Sequence, residues 1–159
     1  QALTAFLNAY RYQSSPYPTT RDLFSYLTQD ATEQETAFIS NLFEHITLYD
    51  LKTTHVVVAE NNEGEFEVSL TIDASLIRAD GQGLETEENF EDYIDIGLFN
   101  EDPEKITSDN AILYFEKHLI KSGSNTINIK LSSKPTFAGV DPFVRLVDRD
   151  SADNIYRIN

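Results

Sequence analysis

The sequence predicts an α+β chain: a short N-terminal helical segment over residues 1–46, the end of a larger helical domain, followed by an antiparallel β-sandwich over residues 47–159. Two observations carry this. Apolar residues recur at helical spacing up to Ile46 and at a spacing of two after Thr47. The strand-like runs are then separated by turn signals at short intervals with no helical repeat between them, so consecutive strands are expected to pair antiparallel.

The first helix is written in Ala2, Leu3, Phe6, Leu7 and Tyr10, and it is expected to stop before Ser14-Ser15-Pro16, where proline disfavours the helical basin for its neighbour. Pro18-Thr19-Thr20 opens a second helix with Thr19 or Thr20 as N-cap and Leu23, Phe24 and Leu27 on one face. Thr32-Glu33-Gln34-Glu35 has the form of a capping box, so a third helix should run from Glu33 to His45 and bury Phe38, Leu42, Phe43 and Ile46. With about ten core residues among them, three short helices make too small a body to stand alone.

Thr53–Val58 and Phe66–Ile72 flank Asn61-Asn62-Glu63-Gly64 and read as a half-buried hairpin. Tyr93–Phe99 alternates Ile94, Ile96 and Leu98 with Asp95 and Gly97. Ile112–Ile120 and Asn125–Leu131 are predicted to form a second hairpin through Lys121-Ser122-Gly123-Ser124. The tail from Lys134 to Asn159 mixes Pro135, Gly139 and Pro142 with a short apolar run, and is expected to pack as irregular chain along an edge.

The acid excess is large, with 27 Asp and Glu against 12 Lys and Arg and a net charge of −15. Such a charge repels phosphate backbones and anionic headgroups, which argues against nucleic-acid binding and direct membrane contact. Eleven of the acids and a single base, Lys105, lie between Asp80 and Asp109. That segment reads as a solvated loop and outer strand face, with a cation site or a docking face for a basic surface as the alternative. The chain has no Cys, which removes thiolate chemistry and cysteine-ligated metal sites. It also has no Met and opens on Gln1, the expectation being a segment of a longer polypeptide.

No catalytic constellation emerges. A zinc peptidase helix needs two His one turn apart with a Glu between them, whereas His45, His55 and His118 are isolated and read as structural. There is neither a nucleophile elbow nor a P-loop, and Asp80-Gly81 reads as a turn. The run Asp148-Arg149-Asp150-Ser151-Ala152-Asp153-Asn154 superficially resembles a calcium loop. It places Ala152 at an alternate ligand position, lacks the following Gly and has Asn159 at the twelfth position. The simpler reading has Asp148, Asp153 and Asn154 hydrogen-bonding turn backbone while Arg149 bridges carboxylates.

Four stretches in consistent order, Asp22–Leu27 with Leu42–Asp50, Arg78–Gly83 with Glu85–Glu87, Tyr93–Phe99, and Ala138–Phe143 with Leu146–Arg149 and Asp153-Asn154, carry a family likeness. Together they resemble the C-terminal region of bacterial gluzincin zinc aminopeptidases, relatives of aminopeptidase N, some of which are fused behind an ABC-type permease. The resemblance implies a place after the catalytic domain, with that domain and the helical domain of the same polypeptide as partners. It implies zinc in the catalytic domain and no cofactor in this segment. It carries over no catalytic or metal-binding residue. A matching tail motif of Gly139, Asp141, Pro142, Asp148, Arg149, Asp153 and Asn154 is read as structural or interdomain. A periplasmic or otherwise extracytoplasmic setting, as part of a membrane-anchored protein, is an expectation from the resemblance alone.

The functional expectation is therefore a non-catalytic accessory domain acting in interdomain packing or substrate access, without peptidase activity of its own. The alternative is an independent sandwich module for carbohydrate, peptide or calcium, with Tyr93, Phe99, Tyr114 or Phe143 as an aromatic platform.

Overall fold

A computed structural model describes residues 1–12 and 16–158, and the chain divides into two compact units, Gln1–Ile46 and Thr47–Asn159. Three helices make the first: α1 (Ala2–Tyr10), α2 (Thr20–Thr28) and α3 (Glu33–Phe43). The expected capping box of α3 forms, and α2, for which only an N-cap was expected, has one as well. The Thr32 hydroxyl accepts the Glu35 N–H while Glu35 accepts the Thr32 N–H at 2.8 Å, and Thr19, the N-cap of α2, makes the same exchange with Asp22. These bonds satisfy donors that a helix start would leave orphaned, and they hold the Asp22 and Glu35 carboxyls below their usual range. The predicted stop of the first helix at Ser14-Ser15 lies outside the described residues.

The helices meet through aromatic rings: Phe6 and Tyr10 of α1 with Tyr26 of α2, and Phe24 of α2 with Phe43 of α3 at 6.4 Å between centroids. No described residue of the three helices is buried. The expectation that Leu42, Phe43 and Ile46 are core residues fails, since they are 48%, 42% and 51% exposed. The period was right, but a helical face is buried only where something lies against it.

The second unit is a two-sheet β structure. In the first sheet, β2 (Phe66–Ala79) is central, with β1 (Ile46–Glu60) as one neighbour. β6 (Gly123–Leu131) pairs with β2 along Phe66–Ala74, and β3 (Glu85–Glu88) along Leu76–Ala79. The second sheet has the order β5 (Ile112–Lys121), β4 (Glu91–Phe99), β7 (Phe137–Val140), β8 (Ile155–Arg157). The β1–β2 turn is the expected one, with Gly64 at φ +80°, the conformation glycine favours. Val68, Leu70, Ile72, Ala74 and Leu76 of β2 and Ile94, Ile96 and Leu98 of β4 face inward and join Tyr49, Leu51, Ile120, Ala138 and Val140 in one buried cluster.

Two expectations are corrected. The strands around Lys121–Ser124 do not form a hairpin: β5 pairs with β4 and β6 with β2, so the chain changes sheets at Ser122-Gly123. Gly123 takes φ +91°, and Ser122 is tied to Phe90, where the chain passes from β3 of the first sheet to β4 of the second: its N–H donates to the Phe90 carbonyl and its hydroxyl accepts the Phe90 N–H. Alternation reports which face of a strand is buried; it does not report which strand lies beside it. The tail, for its part, supplies two strands, and β7 is wholly interior to its sheet.

Candidate functional site

Most of the tail motif gathers where residues 139–154 fold back over the sheets. Gly139 sits opposite Gly97 on neighbouring strands. A Cβ on Gly97 would overlap the Phe99 ring, and one on Gly139 would overlap the Ile155 side chain and the Asn154 carbonyl oxygen. The paired glycines thus let the chain return closely over the outer side of the second sheet, with Pro142 beside Gly97.

Asp141 turns that chain. Its backbone is left-handed at φ +39°, its side chain is buried, and its two carboxylate oxygens accept the N–H groups of Arg145 at 3.0 Å and Leu146 at 2.9 Å. Burial raises its pKa, as does the nearby Asp95, against the opposing pull of those two hydrogen bonds and of Arg145. The turn delivers Arg145 onto Asp95, which is 5% exposed and is clamped between Arg145 at 3.0 Å and Lys117 at 3.1 Å. Arg145 also covers the rings of Phe115 and Phe143. Asp95 was read from the sequence as one more acid on a solvated face; the cover that buries it comes from a segment some fifty positions later.

Downstream, Asp148 pairs with β1 in an isolated parallel bridge to Tyr49, accepts the Asp150 N–H at 3.0 Å and takes a longer bond from the Leu51 N–H. Burial raises its pKa, with further repulsion from Asp50. Arg149 reaches Glu85 at 2.9 Å, and Asp153 holds Lys52 at 3.0 Å. The Thr53 hydroxyl, also buried, donates to the Asn154 carbonyl at 2.7 Å and accepts the Val140 N–H. The Asn154 side chain departs from expectation. It is 1% exposed, and neither its oxygen nor its nitrogen meets a hydrogen-bond partner among the described residues. It lies against the Asp148 carboxylate and favours the ionised form there, without the geometry of a hydrogen bond.

The remaining candidates separate. Along Asp80–Asp109, the four residues of β3 are exposed and Asp80 caps its own turn, as a solvated face requires. Asp92 is the second exception beside Asp95: it accepts the Tyr49 hydroxyl at 2.8 Å, and burial raises its pKa. Of the aromatic platform, Phe99 is fully buried and Tyr114 stands in line with the inward Leu98. Tyr93, opposite Leu119, and Phe143, against Phe99 and Phe115, remain partly exposed on the outer side of the second sheet. His45 and His55 are exposed on separate segments, and His118 Nε2 lies in hydrogen-bond contact with the Tyr114 hydroxyl, whose proton goes to Glu116. These histidines do not fit a zinc centre.

Among the described residues no three His, Asp or Glu are grouped to hold a metal ion, and no helix is long and apolar enough to cross a membrane. Comparison with protein-family models, with curated proteins and with solved structures finds no match to this chain.

Proposed function

We propose that the chain is a non-catalytic accessory domain of a zinc metallo-aminopeptidase, acting in interdomain packing or substrate access, with the zinc held in a catalytic domain of the same polypeptide. The carrying observation is the contrast in burial. The β unit has a closed core, whereas the helical unit leaves Leu3, Leu7, Leu42, Phe43 and Ile46 roughly half exposed and buries no described helix residue. Apolar helix faces in that state suit packing against further helices. The tail motif supports a structural reading, since Gly139, Asp141 and Asp148 are engaged in closing the chain on itself.

The test is twofold. The coding sequence upstream should specify an H-E-x-x-H helix followed at helical distance by a second Glu. This chain alone, supplied with zinc, should release no fluorophore from aminoacyl substrates. Turnover by the isolated chain, or an upstream region without the zinc motif, contradicts the proposal. The aromatic platform of the binding-module alternative narrows to Tyr93 and Phe143, and a glycan or peptide that raises the unfolding midpoint of the chain would favour that module.

A further inference from the structure

The turn that follows Asp148 concentrates acid around a buried group that is left without a partner. Lys52 is drawn by Asp153, Asp150 and Asp50, and Asp148 interacts with Asp50 and Asn154, so these residues form one neighbourhood. Three carboxylates, Asp153, Asp150 and Asp50, face the Lys52 ammonium, Asp148 lies beside Asp50 and Asn154, and Arg149 is engaged by Glu85. Within it, Asp153 Oδ1 and both ends of the Asn154 amide are buried without a hydrogen-bond partner among the described residues. A buried unpaired amide costs about 1–3 kcal/mol, and an unpaired carboxylate oxygen costs more. The Asn154 nitrogen suits the Asp148 carboxylate beside it. That leaves the Asn154 and Asp153 oxygens as acceptors with nothing to accept.

We propose that this turn is a binding site for a calcium-like divalent cation, with Asp148, Asp153 and Asn154 as its oxygen ligands. Hard oxygen donors of mixed charge, two carboxylates and one amide, are the set that calcium takes, and water completes a shell of about six to eight. The site is not an EF-hand, because its ligands lie within one short turn beside β1 rather than at the alternate positions of a twelve-residue loop. Lys52 competes with the cation for Asp153, which sets the affinity in the weak range of roughly 0.1–1 mM.

The experiment is calorimetric titration of the chain with calcium chloride, with magnesium chloride in parallel. The expected result is one saturable calcium event at about millimolar affinity, with magnesium much weaker, since the smaller ion dehydrates reluctantly. Lys52 is half exposed, so Lys52→Gln leaves the fold intact and should tighten calcium several-fold; Lys130→Gln, a distant control of equal charge change, should not. Asp153→Asn should abolish the event, and Asp148→Asn serves the same purpose if that variant does not fold. No heat up to about 10 mM, beyond the weak end of calcium sites, overturns the proposal and leaves solvent to satisfy the buried atoms. Binding that Lys52→Gln and Lys130→Gln change equally overturns it too, as diffuse attraction to an acidic surface.

Discussion

The two units of the chain are specified in opposite ways. In the helical unit local signals are complete: two capping boxes, apolar periodicity and aromatic pairs, yet none of its described helix residues is buried. In the β unit local signals are incomplete, since strands change sheets without a distinctive turn and acids are drawn inside, yet its cluster holds sixteen buried residues. Caps and periodicity decide where a helix starts and which face is apolar; long-range burial decides whether it stays folded.

The largest effect that can sharpen this contrast is in the β core. Leu70→Ala, at a fully buried position, should cost about 2–5 kcal/mol in denaturant unfolding, while Leu7→Ala, 55% exposed on α1, should stay within about 0.5 kcal/mol. Equal losses would break the comparison. Gly139→Ala comes next, because its Cβ would meet backbone as well as the Ile155 side chain; about 1–3 kcal/mol is expected from overpacking.

A third change should not destabilise. Val144 holds φ +48°, a conformation unfavourable to a branched side chain, and is 53% exposed. Val144→Gly should therefore raise stability or leave it unchanged, within about 1 kcal/mol, provided the closed turn of Asp141 fixes this backbone. In the helical unit, Thr32→Ala should lower helicity by circular dichroism, at a cost of about 1 kcal/mol, without moving the β unfolding transition.

The smallest effect is a pH dependence. Burial raises the pKa of Asp92 in the folded state, with the Tyr49 hydroxyl and Arg78 partly opposing it. The stability tied to this group is fully present below the unfolded carboxylate pKa of about 4 and is lost as pH rises through the higher folded value. Asp92→Asn should remove that loss, so its stability relative to the parent should be higher at neutral pH than at pH 3. Urea midpoints at the two values measure it.

These contrasts also mark what the sequence made legible. Thr32 and Glu35 interact across three residues, so their bond could be read directly. The inward face of β2 was equally plain, because Val68, Leu70 and Ile72 alternate with polar residues. The pairing of β6 with β2 was hidden, since the alternation at Ile127 and Ile129 fits a hairpin equally well. At the candidate site, the tail residues were singled out by resemblance, and no spacing announced that Asp141 would bond Arg145 or that Arg145 would bury Asp95. Even the unpaired amide of Asn154 depends on what surrounds it, which a single residue type does not encode.

Hydrogen exchange on the intact chain tests the central contrast most directly, because it reads both units at once. The account predicts that amides of β2 and β4 exchange only through global unfolding, while those of α1, α2 and α3 exchange through local opening with much smaller protection. Helix amides as protected as those of β2 and β4 would contradict it.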